Sequence, residues 1–272
     1  MKMRYTILIW FLLVGVGSAS QTLRIATLNV NAGISCPSNA IAAIRSSNAD
    51  IVCLQEPNPR MMSGLTNALA ESYPYSQFDS PGHNYWYYID RLGILSKYPF
   101  DATFIAPSAE GAFGSQFAVI RVGATQVQVL NVHLAPPRLL TLKYPLHTLR
   151  EFADSENKRV AEVVSMLSIL DPDRPAILAG DLNAFPASPT VNTILKRRFM
   201  DTHGSDPNAP AAHTWSDTIE GIPLSARIDY IFCDSNFVLV TNGVLPCASS
   251  DHSLVYVELE MKDGTRQQPP AP

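Results

Sequence analysis

Short apolar runs rich in β-forming residues recur along this chain, and several end at a polar side chain. That combination restricts the chain to folds with large sheets whose strand ends meet at one surface. With 272 residues, 46% of them hydrophobic and only 16% charged, one compact core is expected. The predicted strands are residues 23–30, 51–54, 92–95, 117–122, 127–134, 176–179, 228–232 and 254–259.

Helical periodicity separates these runs. Residues 38–47 and 155–170 are predicted helices, and a third begins at Ser188 and Pro189 and runs to about Arg198. A serine cap followed by proline at the first helical position is a typical helix start. In the second helix one apolar face is predicted from Val160, Val163, Val164, Leu167 and Leu170. The helices are therefore expected to cover the outer faces of the sheets.

The two ends of the chain differ in composition from the middle. Lys2 and Arg4 precede an apolar run over residues 7–16 and then small residues up to Ser20, the pattern of a signal peptide. Residues 1–20 are predicted to be removed on export, which makes the protein secreted or periplasmic. The run is too short for a stable membrane span. Residues 21–261 are the predicted domain, and residues 262–272 are a predicted disordered tail.

Four cysteines would enter an oxidising compartment, where disulfides are permitted. A bond between Cys233 and Cys247 is the favoured pairing. Cys53 and Cys233 lie in strand-like runs, so buried free thiols are an equally reasonable interpretation. No CxxC spacing occurs, which argues against a zinc–thiolate site.

The informative polar residues stand at the closing ends of predicted strands or, for Asp251 and His252, just before the last one. Taken singly, each has an ordinary explanation, such as a turn cap or a core histidine bound to a carbonyl. Taken together they predict a site, because buried carboxylates and imidazoles cost stability unless they are paired or bind a metal. The residues are Asn29, Glu56, His133, Asp181, Asn183, Asp251 and His252.

Asp229 interrupts an otherwise apolar strand and needs a partner. His252 is the predicted partner. A salt bridge to Arg227, or a buried network, is the alternative.

These motifs resemble those of the endonuclease/exonuclease/phosphatase superfamily, the fold class of DNase I. The resemblance spans nearly the whole chain after residue 20, and seven motifs occur in the family's order. They are Thr27-Leu28-Asn29, Leu54-Gln55-Glu56, Gly93-Ile94-Leu95-Ser96, Asn131-Val132-His133, Gly180-Asp181-Leu182-Asn183, Arg227-Ile228-Asp229-Tyr230-Ile231 and Ser250-Asp251-His252.

The resemblance implies an α/β fold, a four-layer α/β/β/α sandwich of two mixed β-sheets flanked by helices. It also implies roles. Asn29, Glu56 and Asp251 would hold Mg²⁺, or Mn²⁺ or Ca²⁺, as one or two ions. Asp181 would accept a proton from the attacking water, which Asn183 would orient. His252, held by Asp229, would stabilise developing charge, and His133 would bind the phosphate.

Substrate choice stays open at this level. The favoured hypothesis is a secreted metal-dependent phosphodiesterase or phosphatase acting on a small molecule or a lipid head group, with Arg138 contacting an anionic group. The alternatives are a sphingomyelinase-like lipid phosphodiesterase, an extracellular nuclease on DNA or RNA, and a catalytically silent binding protein. The formal net charge of −4 argues mildly against extended nucleic-acid binding. No obligate protein partner is evident.

Overall fold

The computed structural model describes residues 21–34, 36–78, 91–106, 113–136, 145–204, 213–219 and 221–262. The predicted signal peptide and the predicted tail, apart from Lys262, lie outside these residues. Within these ranges there are four helices: α1 (Ser38–Ser47), α2 (Pro59–Leu69), α3 (Pro145–Leu167) and α4 (Pro189–Leu195). None of the described helices is long and apolar enough to cross a membrane.

Fourteen strands are found in the described residues, and most of them belong to two six-stranded sheets. Their bounds are β1 (Thr22–Asn29), β2 (Ile51–Gln55), β3 (Tyr75–Phe78), β4 (Leu92–Ser96), β5 (Phe100–Ala106), β6 (Ser115–Val122), β7 (Thr125–His133), β8 (Ala176–Asp181), β9 (Phe199–Asp201), β10 (Trp215–Ile219), β11 (Ile222–Ala226), β12 (Asp229–Asp234), β13 (Phe237–Leu245) and β14 (Leu254–Met261).

Both large sheets are mixed. The first has the order β13-β14-β1-β2-β4-β3, and the second has the order β5-β6-β7-β8-β12-β9. The pairs β1–β2 and β7–β8 are parallel, whereas the other neighbours are antiparallel. Strands β10 and β11 form a separate hairpin.

Three apolar layers explain how these elements stack. The first layer lies between the two sheets, whose facing sides pack together through side chains such as Ile25 and Ile177. The opposite face of the first sheet packs on α1 and α2, for example through Leu28 and Leu65. The opposite face of the second packs on α3 and α4. Because a strand alternates its side chains, each sheet buries both faces, and the predicted four-layer sandwich is confirmed.

Several predicted elements differ from the structure. Helix α3 begins ten residues earlier than predicted, at Pro145, and α4 ends at Leu195. Val164 is 43% exposed, so the predicted face of α3 is wrong at that residue. The buried face of α3 also carries Glu156, Arg159 and Glu162. These charged side chains can be buried because they make polar contacts there.

The sequence interpretation also missed α2 and the strands β3, β5, β9, β10, β11 and β13. Strands β5 and β13 lie at sheet edges, and both they and β11 expose much of their surface, so apolar alternation is weak. Helix α2 had a readable signal: Asn58 accepts a hydrogen bond from the backbone N–H of Met61, and Pro59 follows it.

The favoured Cys233–Cys247 disulfide is not formed. All four cysteines are free. Cys233 faces the layer between the two sheets, whereas Cys247 packs in the layer between the first sheet and its helices. The first sheet separates the two thiols, so they lie in different cores. The other interpretation, in which Cys53 and Cys233 act as small buried apolar residues, agrees with the structure.

Candidate active site

A cavity of about 320 Å³ opens where strands from the two sheets end. Its size is in the range of small-molecule sites in proteins. Seven of the sequence-predicted site residues line it, with apolar residues on the remaining wall. The lining is Asn29, Glu56, Phe113, His133, Pro136, Asp181, Asn183, Phe185, Trp215, Ala226, Ile228, Asp251 and His252.

Strand pairing brings these residues together from distant parts of the chain. Parallel pairing of β1 with β2 sets Asn29 opposite Gln55, so Glu56 emerges beside Asn29. Parallel pairing of β7 with β8 sets His133 opposite Asp181. Strand β12 starts opposite the same aspartate, which adds Asp229. The register therefore determines which polar residues meet.

The backbone turns sharply at this edge. Asn31, Glu56 and Asn183 have φ angles of 60°, 60° and 48°, in the left-handed region that residues other than glycine rarely adopt. Each lies directly after the strand that precedes it or within two residues of its end. Of the three, Glu56 and Asn183 line the cavity, and the left-handed conformation of Glu56 represents local strain of the kind that often accompanies functional sites.

Asn29 links two carboxylates. Its Nδ2 donates to Oε1 of Glu56 at 3.0 Å and to Oδ2 of Asp181 at 3.1 Å. Its Oδ1 accepts the backbone N–H of Asn31 at 3.0 Å, which fixes the orientation of the amide. The second oxygen of Glu56 accepts the N–H of Ala32 at 2.9 Å. Asn29 thus presents N–H groups, not its oxygen, to the two acids.

Asp251 is held by one donor on each oxygen. Nδ2 of Asn31 donates to Oδ1 at 2.9 Å, and Nε1 of Trp215 donates to Oδ2 at 2.9 Å. Asn31 therefore connects Asp251 to Asn29 and, through it, to Glu56. This short chain of hydrogen bonds keeps the two carboxylates that the resemblance names as metal ligands on one cavity wall.

His252 forms the predicted pair with Asp229. Its Nδ1 lies 2.9 Å and 3.1 Å from the two carboxylate oxygens of Asp229. Arg227, the alternative partner, binds Asp201 instead. Burial lowers the pKa of His252, but Asp229 and Asp181 outweigh it and raise the pKa to about 10. The two carboxylates therefore favour the imidazolium form of the ring.

Asp181 lies between the two histidines. Its Oδ2 is 3.7 Å from Nε2 of His252 and 3.5 Å from Nε2 of His133. Burial raises its pKa above the ordinary value; the histidines oppose this shift and Asp229 adds to it. Nε2 of His133 is also 3.7 Å from Oε1 of Glu56. A carboxylate with a raised pKa beside imidazoles is a suitable proton acceptor.

Asn183 is tied to the neighbouring loop. Its backbone N–H donates to Oδ1 of Asp181 at 2.8 Å, and its Nδ2 donates to the carbonyl of Leu134 at 2.9 Å. Arg138, the predicted substrate contact, lies outside the described residues, so the structure says nothing of it.

Several residues of the site were not predicted from the sequence. Asn31 stands two residues after Asn29 in the same polar interruption, and that proximity was a usable signal. Trp215 and Phe185 had no such signal, because their positions depend on the hairpin and on the loop before α4.

Beneath the cavity, Nε2 of Gln55 donates to Oδ1 of Asn131 at 2.7 Å, joining the two sheets through buried amides.

Among the residues that the structure describes, two sets could hold a cation. Asp181, Asp229 and His252 offer ligand atoms within 4.8 Å of one another. However, Asp229 already pairs with Nδ1 of His252, so two members of this set are engaged with each other. Each carboxylate oxygen of Glu56 and Asp251 accepts a hydrogen bond, and a carboxylate oxygen can make further contacts. These oxygens fit a hard cation better than the first set does.

The fold and the cavity together define a DNase I-like sandwich with an acidic, imidazole-containing site at its strand ends. The chain belongs to the Endonuclease/Exonuclease/phosphatase family, whose model matches residues 26–252. Members of this family are generally phosphoester hydrolases. A search of curated protein sequences found no match.

Solved structures agree with the fold. An endonuclease/exonuclease/phosphatase from Beutenbergia cavernae has a TM-score of 0.68 at 20% identity, over 88% of this chain and 72% of that one. D. rerio TDP2, complexed with a single-strand DNA product, has a TM-score of 0.69 at 17% identity, over 88% and 98%. A Bacteroides vulgatus family member has a TM-score of 0.65 at 17% identity, over 89% and 100%.

Proposed function

We propose that this protein is a divalent-metal-dependent phosphoester hydrolase that activates water for in-line attack on phosphorus. The position of Asp181 carries the proposal. Its carboxylate lies within 3.7 Å of Nε2 of both His133 and His252, in a cavity that Glu56 and Asp251 also line. A proton acceptor, two imidazoles and oxygen ligands around one cavity suit the hydrolysis of an anionic ester.

Glu56 and Asp251 would hold the cation, with Asn29 beside them. Mg²⁺ is the expected ion, or Mn²⁺ or Ca²⁺, as one ion or two. When bound, the cation would neutralise charge on the phosphoryl oxygens and so lower the barrier to attack by water. The hydrogen bonds from Asn31 and Trp215 to Asp251 would keep that carboxylate oriented toward the cavity.

Asp181 accepts the proton of the attacking water while the water oxygen bonds to phosphorus and the bond to the leaving oxygen breaks. Asn183 would orient this water through its amide oxygen, since Nδ2 is bound to Leu134. His252 stays charged and stabilises the negative charge that develops on the phosphoryl group, while Asp229 holds its ring. His133 would donate a hydrogen bond to the phosphate from the other side of Asp181.

Export is part of the proposal. Its support is the pattern of residues 1–20, in which two basic residues precede an apolar run and small residues. Expression of the full chain with fractionation of cells and medium tests this. A mature amino terminus near Gln21 in an exported fraction supports export, and an intact, cell-retained chain contradicts it.

A panel of substrates tests the chemistry. Plasmid DNA, RNA, sphingomyelin, inositol phosphates and bis-p-nitrophenyl phosphate are incubated with Mg²⁺ or with a chelator. Turnover that requires the metal and is lost in Asp181→Asn supports the proposal. The control is Asp101→Asn, which removes the carboxylate of a surface ion pair that does not line the cavity. Unchanged turnover with chelator contradicts metal dependence, and no turnover of any substrate favours a binding protein.

Nuclease activity is the second candidate. It is favoured by one observation, the likeness of this fold to D. rerio TDP2 in complex with a single-strand DNA product. Cleavage of plasmid DNA or RNA in the panel, without turnover of the small esters, would support it.

A further inference from the structure

Phe185 is an exposed aromatic residue on the cavity wall. It follows Asn183 by two positions, lines the same cavity and exposes 45% of its surface. Its ring stacks on Phe152 of α3, with centroids 6.2 Å apart and planes 18° from parallel. We propose that Phe185, backed by Phe152, is a specificity-determining platform that selects small phosphodiesters in which the group retained on phosphorus, the one that water does not displace, is a planar aromatic ring. This inference rests on the proposed function.

The platform is held rigidly by the two helices beside it. Phe152 and Glu156 are one turn apart on α3 and share a face. Oε1 of Glu156 accepts the backbone N–H of Thr190 at 2.7 Å and its hydroxyl at 2.6 Å, at the first turn of α4. Helix α4 starts directly after the segment that carries Phe185, whose carbonyl accepts the N–H of Ser188. Phe152 therefore lies on α3, and Phe185 lies in the short loop that leads into α4, which Glu156 joins to α3.

A buried arginine connects Glu156 to the loop that follows β7. Nη2 of Arg159 donates to Oε2 of Glu156 at 2.6 Å, and Nη1 donates to the carbonyl of Ala135 at 3.0 Å. The side chain of Arg159 is only 1% exposed. Ala135 precedes Pro136, which also lines the cavity. The stack on Phe152 and the hydrogen bond from Ser188 to the carbonyl of Phe185 position this residue before a ligand arrives, which reduces the entropy cost of binding.

The chemistry of the wall determines the substrate class. The outer face of Phe185 continues a near-parallel pair, so a third ring can add to the stack, and such pairs contribute beyond simple burial. Phe113 lines the cavity as well, with its ring 4.5 Å from that of His133. A phosphodiester with an aromatic group can thus bring its phosphate to the polar residues and its ring to Phe185.

Three esters with the same p-nitrophenolate leaving group test this: phenyl, hexyl and methyl p-nitrophenyl phosphate. The measured quantity is the ratio of kcat/KM for each ester to that for the methyl ester, compared between variants so that intrinsic reactivity cancels. In Phe185→Ala the phenyl ratio is expected to fall about tenfold. Phe185→Tyr, which keeps a ring, is expected to retain it.

Phe104→Ala is the matched control, because Phe104 is 46% exposed and does not line the cavity. It is expected to leave the phenyl ratio unchanged. An unchanged phenyl ratio in Phe185→Ala overturns the inference. An equal fall in the hexyl ratio also overturns it, since that result indicates general apolar burial.

Binding separates this inference from the proposed function. Diphenyl phosphate and dimethyl phosphate are titrated calorimetrically into the protein with Mg²⁺. Tighter binding of diphenyl phosphate that is lost in Phe185→Ala supports the platform even if no ester is turned over, in which case only the proposed function fails. Equal binding of the two diesters overturns the inference even if hydrolysis is observed.

Discussion

The indole Nε1 of Trp215 donates a hydrogen bond to Oδ2 of Asp251 at 2.9 Å. Trp215 starts the β10–β11 hairpin and pairs with His252 through an isolated β-bridge. The hairpin therefore orients a carboxylate proposed to bind metal. A position with no strand-end polar signal in the sequence thereby contributes to the site through its hydrogen bond.

Replacing Trp215 by Phe removes this donor and keeps an aromatic ring. We expect the affinity for Mn²⁺ or Mg²⁺ to fall about tenfold, because hydrogen bonds to ligating groups commonly contribute that much to metal affinity. Isothermal titration calorimetry with the metal alone measures the effect. An unchanged metal affinity, with the thermal unfolding midpoint also retained, would exclude this role for the indole.

Replacing Asp229 by Asn removes the charge that compensates the ring of His252. We expect kcat to fall about 100-fold or more while KM changes little, because the contact acts through a group that stabilises the transition state. Steady-state kinetics on whichever ester the panel identifies measures it. Asp101→Asn, in a surface ion pair with Arg121, is the matched control and is expected to retain full activity. Similar kinetics in the two variants would refute the role of Asp229.

Gly180 precedes Asp181 in β8 and lets β8 lie close to the backbone of β7. Its φ is 148°, and a Cβ there would overlap the backbone carbonyl of Val132 on β7. Gly180→Ala is therefore expected to lower the free energy of unfolding by about 3 kcal/mol or more. Gly221→Ala, at φ 82° with nothing within 4 Å of the added Cβ, is expected to cost about 1 kcal/mol. Urea denaturation compares the two, and equal losses would show that the close approach is unimportant.

His203 makes stability depend on pH. Burial lowers its pKa below the ordinary 6.5, against the opposing effects of the Gly243 carbonyl and Asp201. The unfolded chain therefore binds a proton more readily, so the stabilisation present above pH 6.5 is lost as the pH falls below that value. His203→Asn should be less sensitive to acid than the parent in urea denaturation between about pH 7.5 and 5.5. The same substitution at exposed His213 is the control, and an identical pH dependence in parent and His203→Asn would contradict the prediction.

Much of the fold could be predicted because local sequence patterns indicate its buried strands and some of its helix ends. Buried strands such as β1 and β8 are short apolar runs, and α4 has a serine cap with proline after it. The edge strands could not be predicted, since their exposed residues alternate weakly. The buried face of α3 was misjudged at Val164 because a charged residue normally indicates a solvent-facing position, whereas Arg159 is buried with partners from α3 itself and from a distant loop.

The sequence by itself determined which polar residues end the strands, and therefore the family, the four-layer fold and the candidate set from Asn29 to His252. The tertiary structure decided which of these groups meet and in what state. It selected His252 over Arg227 as the partner of Asp229, and it oriented the amide of Asn29 toward two acids. It also placed Phe185 against Phe152 and separated Cys233 from Cys247. The physical reason is range: periodicity and capping act within a few residues, whereas these contacts depend on sheet register and layer packing between segments far apart in the chain.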